Sequence, residues 1–272
     1  MSAIAIIAGG GLLPRDVKEE LQGKGREVHV IAFHGQTDQD LVQDVPHAWF
    51  GLGAVGKIIR YLKSNKVQDV VLAGHIKRPA WSELSLDVKA VMLIAKYGVR
   101  SKGDDGLLSA VVKVLEGEGI RVVPPDSILS NLKTSLGIMT RTKPDSYAIG
   151  DVEKGIKILK HMSELDVGQA VVIQQGLVLG IEAIEGTQQL ISRSGELRRD
   201  KARPGGILIK AAKLQQSEQV DLPAIGPDTI SQLRAAGLRG VAIEAGRSLI
   251  LSKEETIKRA DELGLFIMGV RV

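Results

Sequence analysis

The 272 residues are 44% hydrophobic and 25% charged, enough apolar material for two cores, so two domains are expected over one. The chain has no cysteine, which excludes a disulfide framework, a thiolate nucleophile and a Cys-ligated metal and fits a reducing compartment. Aromatics at 3% exclude a ring-stacking platform for single strands, and no helix-turn-helix or zinc-finger spacing occurs, so nucleic acid is not an expected partner despite a net charge of +4.

The start, MSAIAIIAGGG, lacks the basic segment of a signal peptide and reads as a strand. Apolar runs stay below the roughly 18 residues of a membrane span, so the expectation is a soluble, cytoplasmic protein. Residues 3–8 form the first strand, three glycines follow, and 15–21 are helical. Strand, glycine turn and helix open a doubly wound sheet, and Gly10 and Gly11 let a phosphate or ribose approach the backbone. Residues 28–33 and 47–50 read as strands, 54–65 as a helix and 69–73 as a buried strand. An apolar helix over 83–97, a helix over 104–117 and a strand over 120–123 complete a mostly parallel sheet.

Glycines 51, 53 and 56 with Lys57 match two phosphate-loop patterns, but Ile58 stands where a P-loop needs Ser or Thr. These glycines read better as turn and packing residues. His75, Lys77 and Arg78 follow the strand 69–73, at a carboxyl end where such sheets bind ligands. Asp104 and Asp105 begin a helix, either as caps or as ligands to a divalent metal. Residues 57–102 carry ten Lys/Arg against Asp69, Glu83 and Asp87. That excess is either a solvated face or a surface for phosphates or an anionic membrane.

The polar stretch 133–150 reads as a linker, and Asp151 as the start of a helix to 164. Runs 170–174 and 177–183 form a hairpin around Gln175-Gly176. Glu182, Glu185, Gly186 and Thr187 come next. Thr187 either caps a helix over 188–194 or borders a phosphate site at its N-terminus, with Glu182 or Glu185 at hand for a metal. After a basic loop, 207–212 is a strand leading to Lys213. Asp221, in Asp-Leu-Pro, precedes a helix over 227–236, the strand 240–245, a return at 248–251, a helix over 253–263 and a last strand over 266–270.

The segments IAGGGLLP, GLGAVGK, KGDDGLL, DVGQ with VVIQQGLVLGIEAIEGT, KAAKLQQSEQVDLPAIG and GLFIMGV, in this order, resemble the LpxI-type UDP-2,3-diacylglucosamine diphosphatases. The resemblance implies a Rossmann-like N-terminal domain (1–132), a linker (133–150), a separate mixed α/β C-terminal domain (151–272) and a substrate cleft between the two. It implies Mg²⁺-dependent hydrolysis of the pyrophosphate of UDP-2,3-diacylglucosamine to UMP and 2,3-diacylglucosamine 1-phosphate (lipid X) in lipid A synthesis. The family's essential aspartate falls on Asp221, its GGG turn on Gly9, Gly10 and Gly11, and its EGT loop on Glu185, Gly186 and Thr187. Asp221 then binds metal or orients water, with Asp104, Asp105 and Glu182 as further metal candidates. Lys210 and Lys213 neutralise phosphate oxygens, and His75 and Gln169 join the substrate-binding set. A lipid substrate implies peripheral contact with the inner membrane, with residues 84–94 as an apolar surface for acyl chains, and a homodimer is compatible with this reading. Two alternatives stand beside it: an NAD-dependent oxidoreductase, which needs an acidic residue after the second strand, and a non-enzymatic nucleotide-binding module.

Overall fold

The computed structural model describes residues 3–76, 86–97, 104–165, 167–199, 205–213 and 222–272; the side chains of 93–97 and 104–107 are not described. Among these residues the chain divides into two compact α/β units, one ending at Ser130 and one beginning at Asn131.

The first unit runs β1 (Ile4–Ala8), α1 (Leu13–Gly23), β2 (Val28–Phe33), β3 (His47–Phe50), α2 (Val55–Ser64), β4 (Asp69–Ala73), α3 (Val88–Tyr97), α4 (Asp104–Gly117), β5 (Arg121–Val122) and α5 (Pro125–Ile128). Its strands β1, β2 and β4 are buried almost throughout, as expected of a sheet covered on both faces. All described pairings are parallel, in the order β3-β2-β1-β4-β5. The order reverses between β1 and β4, and open α/β sheets bind ligands beyond the carboxyl ends at such a point. Ala5, Ile31, Val70 and Leu72 pack with Ile58, Ile59 and Leu62 of α2 and Val112 and Leu115 of α4. Each such fully buried aliphatic side chain contributes roughly 1.5–3 kcal/mol. Pro14, Val17 and Leu21 form the buried side of α1, which lies against β1, β2 and β4.

The second unit runs β6 (Gly137–Ile138), α6 (Ser146–Glu164), β7 (Ala170–Gln174), β8 (Leu177–Ile181), α7 (Gly186–Glu196), β9 (Ile207–Lys210), β10 (Ala224–Ile225), α8 (Pro227–Ala235), β11 (Gly240–Glu244), β12 (Leu249–Ile250), α9 (Lys253–Glu262) and β13 (Phe266–Val270). Its main sheet has the order β6-β13-β11-β9-β7-β8, and β10 pairs with β12 apart from it. Strands β9, β11 and β13 are parallel, whereas β6, β7 and β8 each pair antiparallel with a neighbour. One apolar layer joins the sheet to Leu190 and Ile191 of α7, Ile230 and Leu233 of α8 and Ala260 of α9. The other joins it to Ala148, Val152 and Leu159 of α6.

The stretch 133–150 is not a linker. Gly137 and Ile138 pair with β13, Lys133 bridges to Leu249, and the buried hydroxyls of Thr134 and Ser248 hydrogen bond at 2.7 Å. Of the polar residues that suggested a linker, Thr134, Thr140 and Asp145 hydrogen bond within the second unit. The helix expected from Asp151, α6, starts earlier, at Ser146. Asp145 caps α6 by accepting the Ala148 N–H at 2.8 Å, and its carboxylate forms two hydrogen bonds with Arg239. Asp151 is buried and accepts the N–H groups of Gln175 and Gly176, at 2.8 and 2.6 Å. Both turn residues have positive φ, the geometry of a two-residue hairpin loop, so α6 anchors the tip of the β7–β8 hairpin.

Candidate functional site

In the first unit the residues singled out after β1 and β4 meet at the point where strand order reverses. Gly10 and His75 form an antiparallel bridge, with Gly10 N–H to His75 O at 2.9 Å and His75 N–H to Gly10 O at 3.1 Å. A Cβ on Gly9 would lie 2.4 Å from His75 O, and one on Gly74 2.7 Å from Gly10 O. The glycines are therefore required by two loops crossing at backbone contact. The imidazole lies over the same loop: a Cβ on Gly10 or on Gly11 would meet ring atoms at 3.3 Å. Buried Thr37 ties the ends of β1 and β2 together, accepting from Phe33 N–H at 2.8 Å and donating to Ala8 O at 2.5 Å. A ligand reaching Gly10 or Gly11 thus meets exposed His75. Lys77, Arg78 and Leu84 lie outside the described residues.

The second glycine loop has a different occupant. Asp87 accepts the Gly56 N–H at 2.6 Å through one carboxylate oxygen and the Ala90 N–H at 2.9 Å through the other. The N-terminus of α2 is thus met by the chain's own carboxylate, which also caps α3. The residue after β2 is His34, whose ring stacks on Trp49 with centroids 5.5 Å apart; a dinucleotide site would place a ribose-binding acid there. Leu86, Val88, Val91 and Met92 form an exposed apolar stretch, with Val88 at 70% and Met92 at 63% exposure, while Ala90 is buried. Helix α3 packs against α2, whose Lys57 and Arg60 are exposed.

In the second unit, strand directions bring three of the expected residues to one edge of the sheet, and the first turn of α7 adds Thr187. Gln169 enters β7, Glu182 leaves β8, and Lys210 ends β9 opposite Ala170 and Ile243. Glu182 is 5% exposed and accepts the Gln169 N–H at 2.9 Å and the Thr187 hydroxyl at 2.5 Å, one on each carboxylate oxygen. Lys210, also 5% exposed, donates to Thr187 Oγ1 at 3.0 Å and to Ala224 O at 3.3 Å. Only glycine fits at 168, where φ is +54° and a Cβ would lie 2.0 Å from Glu182 O. The side-chain oxygen of Gln169 is buried with no hydrogen-bond partner among the described residues.

Thr187 lies in the first turn of α7, which begins at Gly186, earlier than the 188–194 expected. Glu185 turns away from this cluster to Arg193, at 2.7 and 3.2 Å, and Arg193 also donates to Ile181 O at 2.5 Å. The Arg193 hydrogen bond, with backbone N–H groups, holds the Glu185 carboxyl below its ordinary range. Lys213 is half-buried just beyond β9. Glu244 was not anticipated. It is 5% exposed at the end of β11 and accepts the Ala212 N–H at 2.8 Å. The sequence carried a signal for it, an acid ending the buried run GVAIE.

Asp221 lies outside the described residues, as do the side chains of Asp104 and Asp105. Ala224, whose carbonyl meets Lys210, follows Asp221 by three positions. Among the described residues no group of three or more His, Asp or Glu is placed to hold a metal. Glu182 itself fits poorly as a ligand, since both oxygens already accept and the Lys210 ammonium stands one hydroxyl away.

The family descriptions "LpxI N-terminal domain" and "LpxI C-terminal domain" match residues 3–132 and 135–268. The chain belongs to the LpxI family. It is 34% identical over 275 residues to a protein of Caulobacter vibrioides named UDP-2,3-diacylglucosamine pyrophosphatase LpxI, covering 99% of this chain and 98% of that one. Among solved structures, CobK precorrin-6A reductase is similar at a TM-score of 0.34 and 13% identity over 100% of this chain and 88% of that chain. MurG of Acinetobacter baumannii is similar at a TM-score of 0.31 and 14% identity over 97% and 83%. Neither likeness carries an argument about fold or function. No described helix is long and apolar enough to cross a membrane.

Proposed function

We propose that this chain hydrolyses the pyrophosphate bond of UDP-2,3-diacylglucosamine, releasing UMP and 2,3-diacylglucosamine 1-phosphate in lipid A synthesis. The observation that carries the reading is the end-to-end match to a relative named for that activity. The described geometry supports it. Pyrophosphate hydrolysis needs fixed positive charge beside phosphate oxygens, and Lys210 is a buried ammonium held at a carboxyl sheet edge. The Gly10–Gly11 loop under His75 is a second place where a phosphate or ribose would meet backbone and imidazole.

Asp221 is the proposed catalytic carboxylate, orienting water or holding metal. Mg²⁺ is the proposed cofactor and, when bound, would supply charge neutralisation on the phosphates; such ions use one or two carboxylates and complete their shell with substrate oxygens and water. The enzyme is placed in the cytoplasm at the inner-membrane surface. Exposed Val88, Val91 and Met92, with Lys57 and Arg60 on the adjoining helix, suit contact with acyl chains or an anionic leaflet.

The test is direct. Purified protein with Mg²⁺ and UDP-2,3-diacylglucosamine releases UMP, and Asp221→Asn binds the substrate without turning it over. Full activity in that variant removes Asp221 from the mechanism.

A further inference from the structure

We propose that Glu182 is a positioning residue and not a metal ligand: it fixes Thr187 and, through Thr187, the ammonium of Lys210. The proposal rests on the hydrolase reading, in which Lys210 meets phosphate oxygens.

The directions of the described hydrogen bonds in the cluster follow from donor chemistry. A lysine ammonium only donates, so Thr187 Oγ1 must accept at its 3.0 Å contact with Lys210. The single hydroxyl hydrogen of Thr187 is then left for Glu182, which as a carboxylate only accepts, at 2.5 Å. The other carboxylate oxygen takes the Gln169 N–H at 2.9 Å. A buried anion and a buried cation are thus joined through one hydroxyl, with each end tied to the backbone, at Gln169 and at Ala224. A charge-assisted chain in a low-dielectric setting holds its members firmly. It also disfavours a divalent cation on Glu182, because Lys210 would repel it at short range. What the chain accomplishes is to hold a positive charge at one place on the sheet edge before substrate arrives, the arrangement that stabilises charge developing on a phosphate.

Three variants of the full-length protein test this: Glu182→Gln, Thr187→Val and Thr187→Ser. The measurements are UMP release across a Mg²⁺ titration, Mn²⁺ binding by electron paramagnetic resonance, thermal melting, and a crystal structure of Thr187→Val. Thr187→Val is expected to lower kcat by at least about tenfold with little change in KM. Thr187→Ser, which keeps the hydroxyl, recovers most of that loss. Glu182→Gln lowers kcat similarly, while the Mg²⁺ activation constant and Mn²⁺ affinity stay within about twofold. Loss of Mn²⁺ binding in Glu182→Gln, together with an unimpaired Thr187→Val, puts Glu182 on the metal and overturns the proposal. Equal losses in Thr187→Ser and Thr187→Val overturn it too, since the hydroxyl is then not the connecting group. Should Glu182→Gln fail to fold, the two Thr187 variants decide alone. Wild-type protein that releases no UMP defeats the hydrolase reading but not the relay. The relay is then judged by Lys210 Nζ in the Thr187→Val crystal: displaced supports it, unmoved overturns it.

Discussion

Asp69 begins β4, at the end of the first sheet opposite the Gly10–His75 bridge, and its carboxylate accepts from Arg26 at 3.0 Å and from Arg121 at 2.8 Å. Burial pushes this carboxyl up, but the hydrogen bonds and charges of Arg121 and Arg26 together outweigh it, leaving the pKa below the ordinary value. The folded value therefore lies under the unfolded one of about 3.9. The stability it contributes is fully present above that unfolded value and is lost as pH falls through the folded one. Asp69→Asn should cost about 2 kcal/mol at neutral pH, because two guanidinium partners lose a charged acceptor. Its urea midpoint should also depend less on pH at the acid end than that of the wild type. A variant of wild-type stability with an unchanged acid limb contradicts this. From the sequence, Gln169, Thr187 and Lys210 are expected at the substrate and Glu182 at a metal, with nothing joining the four. The sequence could not show that Glu182 has both oxygens taken, because that depends on the backbone at Gly168 and Gln169 lying against Glu182 and on α7 beginning beside it.

Helix α6 shows what an element's own sequence can hide. Asp145 at its N-cap looked like part of a linker because the preceding residues lack a clear period, and only the pairing of Gly137 and Ile138 with β13 gives them a place. The Arg239 hydrogen bond, reinforced by the Ala148 N–H, lowers the Asp145 pKa. Asp145→Ala should lose about 1–2 kcal/mol, read as a lower urea midpoint with unchanged slope. Helix α3 makes the opposite point. A helix this apolar is more often core than an acyl-chain surface, yet Val88, Val91 and Met92 are exposed. Replacing Val88 and Met92 by Asp should leave the melting temperature near that of the wild type and weaken sedimentation with anionic vesicles at least several-fold. Unchanged vesicle binding would remove this face from the proposed membrane contact. The local cation–anion balance there is also smaller than the sequence count suggests. Lys63 and Lys89 share Glu118 and hold its carboxyl down to about 2.

Across the molecule, alternation of apolar strands with helices was enough to read an α/β chain in two parts. The parallel order of the first sheet follows from strands too buried to be exposed on either face. In the second sheet the β7–β8 hairpin was legible, but a two-residue pairing such as β6 leaves almost no period to detect. The apolar packing of the first unit and the two layers of the second are made from separate sets of residues. Calorimetry should therefore resolve two transitions, with Asp69→Asn shifting one and Asp145→Ala the other. A single transition moved equally by both variants contradicts independent cores.

Product analysis decides whether the protein catalyses this hydrolysis. Purified protein is incubated with UDP-2,3-diacylglucosamine and Mg²⁺, and the products are identified by ³¹P NMR and mass spectrometry, beside Asp221→Asn. UMP and 2,3-diacylglucosamine 1-phosphate are expected in equal amounts from the wild type, and intact substrate from the variant. Intact substrate with the wild type would rule out the reaction, and equal turnover by both would remove Asp221 from it.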